Sequence, residues 1–464
     1  MPDETTRPAP TRTPTGAGPR GALVAGSVGN LIEWYEFGVY GYFATIIAAT
    51  FFTPDGGGDA EALIKTYASF ALAFFFRPIG AALFGRVGDR IGRRPTLILV
   101  ILLMTAATTL IGLLPSYATL GAAAPWLLTL LRAVQGLSAG GEFGGAVSIM
   151  AEFAPAGRRG LYGAWQSFTV ALGLLTGAGT AALLATVLSE EQLGAWGWRV
   201  PFLLTLPMGL AALWLRLRLA ETPAFREIER VTESAPAAVA APASFSADPA
   251  DPADSAVGDG AASPRTADVV KAILLGAGRI MGWAAAGYTF LVVMPSYLQT
   301  TLNATFQQAL VATVLANLGF AASIIPAGLL SDRLGRRAVM TSGAVLVAVL
   351  AFPLLNLLQD PGASTPAKGL SVFAAGAVVG LMAGPGPAML AEMFPTRARY
   401  TGLGLAYALS NAVFSGCAGL IITELIEDTG NVDIPAYYAV VTCALSVPAL
   451  LTLRGDDHRR ALRN

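Results

Sequence analysis

Two carboxylates lie about one helical turn apart in a strongly apolar stretch near the start of the chain. They are Glu33 and Glu36, in the segment GNLIEWYEFGVYGY at residues 29–42. A third, Glu142, follows in the apolar segment GLSAGGEFGG at residues 136–145. A carboxyl group removed from water favours its protonated form, so it can load a proton on one side of a barrier and release it on the other. We therefore expect these residues to include a proton carrier, and for Glu142 a structural ion pair is equally consistent.

Three arginines lie in similar apolar surroundings and can balance these charges: Arg77, Arg132 and Arg279. An ion pair with one of them is the alternative to a functional role for a given glutamate. Two carboxylates one turn apart at bilayer depth are not both ionised unless one is paired. We therefore expect Glu36 to carry the proton and Glu33 to be held by Arg77 or Arg132.

Residues for other kinds of chemistry are missing from the apolar part of the chain. The only histidine, His458, lies near the end of the sequence, which excludes a histidine proton relay. Cys417 and Cys443 lie in apolar segments and are predicted to be small buried side chains rather than a disulfide or a metal site. The sequence also lacks a phosphate-binding G-x-x-x-x-G-K-[ST] motif. No metal or other cofactor is expected, and transport driven by an ion gradient explains the carboxylates better than enzymatic catalysis.

A decapeptide occurs twice in the sequence at a constant offset of 243 residues. It reads GRVGDRIGRR at residues 85–94 and GLLSDRLGRR at residues 328–337. A second pair of motifs, AEFAPAGRR at 151–159 and AEMFPTRAR at 391–399, repeats at an offset of 240. Such repetition indicates that the two halves are one structural unit written twice. Because each decapeptide stands between apolar segments, it is predicted to be a tight polar connection at a membrane surface.

The composition is that of a polytopic membrane protein. Hydrophobic residues make up 54% of the chain and charged residues 13%, whereas soluble proteins carry about 25% charged residues. Segments of about 20 apolar residues can cross a bilayer. We predict twelve and call them spans 1 to 12, at residues 22–52, 62–85, 95–114, 125–153, 160–187, 200–218, 269–300, 305–330, 338–358, 366–392, 400–426 and 434–454. The net charge is zero and no basic block occurs outside the connections, so nucleic acid is not an expected partner.

The repeat and the spans predict the organisation of the chain. We expect a disordered tail at 1–20, a six-helix bundle at 21–218, a linker at 219–268, a second bundle at 269–454 and a tail at 455–464. Lys and Arg are concentrated on the side of the decapeptides, which predicts that this side and both termini are cytoplasmic. Pro385, Gly386 and Pro387 predict a bend in span 10. The sequence thus predicts a multi-pass protein of the cytoplasmic membrane, in contact with lipid and monomeric.

The motifs resemble those of the major facilitator superfamily, whose signature loops are similar to the two decapeptides. The segments GNLIEWYEFGVYG, GLSAGGEFGG, WGWRVPF at 196–202, AETPAF at 220–225 and FPTRARYTG at 394–402 look like its metabolite:proton symporter family. Within that family, GLLPSYATLG at 112–121, MPSYL at 294–298 and IPAYY at 434–438 look most like proton-coupled proline and glycine-betaine transporters. The resemblance extends from about residue 21 to residue 455, and Glu36 stands where the family usually has Asp.

The resemblance implies an all-α membrane protein with twelve transmembrane helices in two pseudo-symmetric six-helix bundles. The bundles would surround a central cavity that opens to each side in turn by rocking. The implied activity is secondary active transport, the symport of a proton and a small zwitterion such as proline or betaine, and not enzymatic catalysis. The alternative is proton symport of a small organic acid such as 2-oxoglutarate, another dicarboxylate or shikimate, which is favoured if two arginines converge on the cavity.

The resemblance also implies roles for particular residues. The repeated loops would act as a latch between the bundles, with Arg77 as a further gating or structural charge; the loop residues are Gly85, Asp89, Arg90, Gly92, Arg93 and Arg94 in the first copy and Asp332, Arg333, Gly335, Arg336 and Arg337 in the second. A zwitterion would need an anion partner, Arg132 or Arg279, and an aromatic cation partner, Trp34 or Tyr35. The other expected substrate contacts are Gln166, Trp283, Tyr407 and Asn411.

Overall fold

The computed structural model of the protein describes residues 19–53, 59–91, 93–140, 143–144, 147, 150–151, 154–155, 157–217, 266–394 and 396–455. These residues are almost entirely helical and include no β-strand. The predicted tails up to residue 18 and from residue 456, residues 219–265 of the linker predicted at 219–268, and Glu142 lie outside the described residues. The last three residues of that linker belong to the helix Thr266–Tyr288.

The first half of the chain supplies spans 1 to 6. Span 1 begins at Pro19, two residues inside the segment predicted to be a tail. The segments of spans 1 to 3 are Pro19–Tyr42, Ala44–Ile47, the π-helical turn Ala48–Phe52, Asp59–Ile91 and Arg93–Leu113. Those of spans 4 to 6 and their connections are Tyr117–Leu120, Ala123–Ala139, Arg159–Val187, Glu190–Gln192, the π-helical turn Leu193–Gly197 and Arg199–Leu217.

The second half supplies spans 7 to 12. Its segments are Thr266–Tyr288, the π-helical turn Thr289–Val293, Met294–Thr300, Phe306–Leu334, Arg336–Gln359, Thr365–Ala383, Gly386–Met393, Thr396–Ser410, the π-helical turn Asn411–Gly416, Ala418–Thr429 and Ile434–Leu451. Span 10 is interrupted between Ala383 and Gly386. The interruption of span 10 that these residues predict is therefore confirmed, because Pro385 and Pro387 cannot donate the backbone hydrogen bonds of a continuous helix. That the span also bends there stays a prediction.

Ten helices among the described residues are by themselves long and apolar enough to cross a membrane. They correspond to spans 2, 3 and 5 to 12. With span 1, which carries the two glutamates, and span 4, described as Ala123–Ala139 and a few later residues, the described residues include helical segments for all twelve predicted spans.

The decapeptides are more helical than their polar sequence suggests. The second copy is helical up to Leu334, and the next helix starts at Arg336, so Gly335 alone forms the connection. Gly335 has a φ of 92°, in a region that favours glycine. Both copies lie on one side of the molecule, which we call the latch face, and the opposite side is the far face.

The two halves repeat one close helix contact. Gly136 of span 4 contacts the backbone carbonyl of Ala73 in span 2, and Gly376 of span 10 contacts that of Ala316 in span 8. An added Cβ at either glycine would overlap the carbonyl oxygen, so only glycine allows the helices to approach so closely. Ala73 and Ala316 are 243 residues apart, which is the offset of the decapeptides. Gly136 and Gly376 are 240 residues apart, which is the offset of the second pair of motifs. The sequence repeat is therefore also a repeat of helix packing.

Candidate functional site

Span 1 separates two cavities. One of its faces carries Gly29, Ile32, Glu33 and Glu36, whose spacing places them one above another along the helix. With side chains of spans 3, 4 and 6, these residues enclose a cavity of about 20 Å³ inside the first bundle. The neighbouring Trp34 lines a second cavity, of about 40 Å³, between the bundles. We call the first the carboxylate cavity and the second the central cavity.

The carboxylate cavity holds both glutamates of span 1 out of bulk water. Glu36 is 0% exposed and Glu33 is 8% exposed. Most of the remaining wall is apolar, with the hydroxyl groups of Thr105 and Ser138 as polar exceptions. A cavity of this size has room for about one water molecule. The two carboxylates therefore share a nearly dry site that is separate from the space between the bundles.

Arg77 of span 2 balances the charge of Glu33. Its Nη2 lies 3.2 Å from Glu33 Oε1, and both side chains are almost completely buried. Three aromatic rings surround the cation, with its Cζ 4.4 Å from the ring centroid of Phe37, 4.5 Å from that of Phe74 and 5.5 Å from that of Trp34. Cation–π contacts are stronger when the groups are desolvated, as here. Glu33 and Arg77 thus form an intramembrane ion pair between spans 1 and 2, inside an aromatic box.

Arg132 of span 4 lies in the packed interior of the first bundle. It is 0% exposed, and its Nη1 donates to Oε1 of Gln135 at 2.7 Å. Its Cζ lies 4.2 Å from the ring centroid of Tyr40 and within about 5 Å of those of Phe37 and Phe70. These contacts hold the guanidinium away from the central cavity. In this conformation, Arg132 therefore does not line the central cavity, and its predicted contact with substrate stays a prediction.

The wall of the central cavity is aromatic, and none of the described residues that form it is charged. The aromatic side chains are Trp34, Trp283, Tyr288, Phe320 and Tyr407, and further polar groups come from Ser167, Asn411 and Ser415. The Ser415 hydroxyl donates to the carbonyl of Ala284 at 3.1 Å and to Oδ1 of Asn411 at 2.9 Å. The surface that a ligand meets here therefore combines aromatic rings with aliphatic side chains, which are Val170, Leu174, Ala284, Leu291 and Val292.

Two π-helical turns lie beside the central cavity. The turn Thr289–Val293 of span 7 begins directly after Tyr288, and the turn Asn411–Gly416 of span 11 contains Asn411 and Ser415. Such turns are rare and occur often at functional sites, because the wider helix changes the direction of its side chains.

The central cavity is closed towards both faces. Towards the latch face, the ring of Phe143 in span 4 stacks on that of Tyr407 in span 11, with 3.5 Å between centroids. Towards the far face, Tyr67 Oη and Ser296 Oγ lie 2.6 Å apart across spans 2 and 7. The structure is thus an occluded form. Its cavity has room for a few water molecules but not for a metabolite, so binding requires the bundles to separate on one side.

Four of the eight residues expected to contact substrate line this cavity: Trp34, Trp283, Tyr407 and Asn411. Tyr35 instead donates its hydroxyl to the carbonyl of Pro201 in span 6 at 3.0 Å. Arg279 donates to the carbonyl of Ala449 at 3.1 Å and to Thr452 at 2.8 Å, at the end of span 12. In this conformation, the side chains of Tyr35 and Arg279 are therefore engaged by neighbouring spans of their own bundles and do not line the central cavity.

Gln166 is buried, but it is not part of the cavity wall. Its carbonyl accepts from Asn30 Nδ2 at 3.2 Å, and its side-chain amide makes no hydrogen bond to the described residues. The adjacent Ser167, together with Tyr288 and Ser415, does line the cavity. The sequence could have predicted the position of Ser415, because it follows Asn411 by one helical turn and so lies on the same face of span 11.

The second decapeptide forms contacts between the bundles. The carboxylate of Asp332 accepts hydrogen bonds from the backbone N–H groups of Gly160, at 2.7 Å, and Leu161, at 2.9 Å. These residues form the first turn of span 5, where unpaired N–H groups and the helix dipole favour an anion. Arg336 Nη1 donates to the same carboxylate at 2.9 Å. Asp332 therefore joins the second bundle to a helix terminus of the first.

Glu392 extends this network. Arg336 Nη2 donates to Glu392 Oε1 at 3.1 Å, and Arg159 of the first bundle donates to the same oxygen at 3.3 Å. Glu392 and Arg159 belong to the second repeated motif, so that motif also takes part in the bundle contact. Arg333 and Arg337 are exposed. In the first copy, Gly92 and the side chains of Asp89, Arg90, Arg93 and Arg94 lie outside the described residues.

Similarity to known proteins identifies the family of this chain. The sequence matches the profile of the sugar (and other) transporter family over residues 22–453. The chain belongs to this family. It is a secondary transporter of the major facilitator superfamily and not an enzyme.

Three relatives of this transporter illustrate its place in the family. It is 35% identical to the glycine betaine/proline/ectoine/pipecolic acid transporter OusA of Dickeya dadantii, over 93% of this chain and 82% of that protein. It is 33% identical to the proline/betaine transporter of Escherichia coli K12, over 95% of this chain and 84% of that protein. It is also 33% identical to the ectoine/proline transporter ProP of Corynebacterium glutamicum, over 96% and 85% of the two chains.

Solved structures with the same fold include a D-xylose-proton symporter, with a TM-score of 0.68 and 20% identity over 92% of this transporter and 97% of that chain. The inward-open xylose transporter XylE from E. coli gives a TM-score of 0.67 and 18% identity, over 93% and 95% of the two chains. At this identity the similarity shows the fold, and it agrees with the two six-helix bundles described above.

Proposed function

We propose that this transporter moves a small zwitterion of the proline or betaine type together with a proton. The proposal rests on the arrangement around span 1, which has an uncharged aromatic cavity on one side and two buried carboxylates on the other. The names of relatives at 33–35% identity refer to transport of proline, betaine and ectoine, which supports the same class of solute here.

The central cavity suits a solute without net charge. A dicarboxylate would bring two negative charges to a wall whose described residues carry no cation, and burying unpaired charge is unfavourable. A zwitterion adds no net charge, and an alkylated ammonium disperses its charge over carbon atoms that pack on aromatic rings. Trp34, Trp283 and Tyr407 provide such rings.

The alternative, an organic acid, depended on two arginines that converge on the cavity. Arg77 is paired with Glu33, Arg132 is enclosed by the rings of the first bundle, and Arg279 contacts span 12. The positions of these side chains favour the zwitterion.

The proton would bind in the carboxylate cavity. Glu36 remains the proposed carrier, with Glu33 held by Arg77. Because span 1 forms a wall of both cavities, protonation on one side of this helix is in a position to affect substrate on the other side. The role of Glu142, which lies outside the described residues, remains a prediction.

We further propose that the transporter is a monomer in the cytoplasmic membrane, with the latch face and both termini towards the cytoplasm. The concentration of Lys and Arg in the latch-face connections supports this orientation. The bundle limits at 21–218 and 269–454 are part of the same proposal.

Uptake by proteoliposomes tests the substrate class. Purified transporter is reconstituted, and labelled glycine betaine, proline, succinate and 2-oxoglutarate are offered under an imposed pH gradient that is acidic outside. We expect glycine betaine or proline to accumulate and the two organic acids to remain at the level of protein-free liposomes. Accumulation of succinate or 2-oxoglutarate without accumulation of either zwitterion would contradict the proposal.

A further inference from the structure

Among the residues that line the central cavity, one has a fully buried hydroxyl group that makes no hydrogen bond within the described part of the chain. It belongs to Tyr288, whose side chain is 6% exposed and whose Oη is buried. By contrast, the Ser167 hydroxyl of the same wall donates to the carbonyl of Ala383 at 2.7 Å, and Asn411 Nδ2 donates to that of Tyr407 at 2.9 Å. Buried hydroxyl groups in folded proteins are nearly always hydrogen-bonded, so the exception requires an explanation.

The ring of Tyr288 is fixed by its neighbours. Its centroid lies 5.4 Å from that of Phe74, at an edge-to-face angle of 89°, and 6.2 Å from that of Trp34. A third ring, Phe70, lies 6.0 Å away. Because the ring is packed on several sides, the hydroxyl is held in position before any ligand arrives, which reduces the entropic cost of binding one.

A phenol hydroxyl in such a place suits a strong hydrogen-bond acceptor. The strongest acceptors among small metabolites are charged oxygens, above all carboxylates. No described cation lines the central cavity, since Arg132 and Arg279 lie elsewhere. A substrate carboxylate would therefore need a neutral donor on the wall.

We propose that Tyr288 is the residue that recognises the substrate carboxylate, by donating a hydrogen bond from Oη once the bundles separate enough to admit the solute. The aromatic faces of the cavity then receive the ammonium end. The inference deepens the proposed zwitterion transport, and it concerns the carboxylate end alone. A hydrogen bond to a charged acceptor contributes enough that its loss weakens binding about tenfold to hundredfold.

Replacing Tyr288→Phe tests the assignment, because it removes only the hydroxyl and keeps the ring packing. The full-length protein is purified in detergent, and its affinities for glycine betaine and for choline, which lacks the carboxylate, are measured by calorimetry. We expect glycine betaine to bind at least about tenfold more weakly than in the unmodified protein, and choline to change by less than about twofold. A purely structural defect would weaken both ligands alike.

Tyr297→Phe is the matched control. Tyr297 lies on the same span, but its hydroxyl donates to the carbonyl of Val432 at 2.9 Å, and the residue is not part of the cavity wall. This variant should leave the ratio of the two affinities unchanged. An equal loss for glycine betaine and choline in Tyr288→Phe, or a loss for glycine betaine below about threefold, would overturn the assignment.

A third ligand separates this inference from the proposed function. If the unmodified protein binds succinate and not glycine betaine, zwitterion transport fails as a function, while the Tyr288 assignment still predicts the tenfold loss for succinate in Tyr288→Phe. Absence of binding for every carboxylate, namely glycine betaine, proline and succinate, would overturn both.

Discussion

At the scale of single residues, Glu33 and Glu36 have different surroundings although they lie about one turn apart. Glu33 contacts Arg77 at 3.2 Å, inside a box of aromatic rings. Glu36 lies on the wall of the carboxylate cavity and is 0% exposed. Two neighbouring carboxylates in a poorly solvated site are not both ionised unless one is paired. The two residues should therefore respond differently to the same substitution.

Glu36→Gln should abolish accumulation driven by a pH gradient but retain counterflow, the exchange of internal for external solute. The neutral amide resembles a permanently protonated carboxyl group, so the loaded form can still change conformation. Counterflow and gradient-driven uptake of labelled glycine betaine are measured side by side in proteoliposomes. If this variant still accumulates solute against a gradient, Glu36 is not the proton carrier.

Glu33→Gln should instead lower stability, because it leaves the Arg77 cation buried without its partner. Removing one member of a buried ion pair costs about 3–5 kcal/mol. Thermal unfolding of the purified protein should show a lower midpoint for this variant. The double variant Glu33→Gln with Arg77→Gln should recover much of the loss, and a double variant as unstable as the sum of both single changes would contradict the pairing.

At the scale of helices, the sequence predicted the number and order of the spans but not their rotation about their own axes. Twelve apolar segments, the repeat and the interruption at Pro385 could be predicted, because length, repetition and proline act locally. The contacts that the side chains of Tyr35 and Arg279 make could not be predicted. In a bilayer the lipid-facing and buried faces of a helix are both apolar, so hydrophobic periodicity does not tell which side chains face a cavity. Neighbouring helices decide this, as Pro201 does for Tyr35.

The contacts of Asp332 predict that its substitution opens the latch face. Asp332→Asn removes the charge beside the first turn of span 5 and the ion pair with Arg336. A charge at a helix terminus contributes up to about 2 kcal/mol, which corresponds to a shift of about 30-fold between closed and open forms. Spin labels at the exposed residues Arg158 and Arg337 should therefore report a longer distance across the latch face.

Transport by Asp332→Asn should fall several-fold, while the affinity for glycine betaine stays within about twofold, since a bundle contact controls conformational populations and not the pocket. The exposed far-face residue Asp360 provides the control Asp360→Asn, which should change neither quantity. Lost binding with a proportional loss of transport would assign Asp332 to the pocket or the fold. The same behaviour is expected for Asp89→Asn in the first copy.

The far face offers the complementary test. Gly419 of span 11 lies directly against the ring of Tyr67 in span 2, so an added Cβ would overlap it. Gly419→Ala should therefore hold the far face apart and slow transport, and labels at the exposed residues Glu61 and Thr300 should move apart. Gly179→Ala is the control, because no atom lies within 4 Å of its added Cβ. If the distance between the two labels is unchanged in Gly419→Ala, the contact between Gly419 and Tyr67 does not control closure of the far face.

At the scale of the whole molecule, the structure joins two repeated bundles that meet on both faces of a small cavity. Asp332 and Glu392 close the latch face, and Tyr67 and Ser296 close the far face. Alternating access then requires one set of contacts to open while the other stays closed. Span 1 lies between the carboxylate cavity and the central cavity, which places proton and substrate on opposite sides of one helix.

Proton-coupled symport requires that proton movement drives the uptake of the solute. The most direct measurement is accumulation of labelled glycine betaine in proteoliposomes under an imposed pH gradient, with and without a protonophore, in buffers that contain or lack Na⁺. We expect the protonophore to abolish accumulation and the removal of Na⁺ to have no effect. Accumulation that requires Na⁺ and persists in the presence of the protonophore would contradict proton-coupled symport.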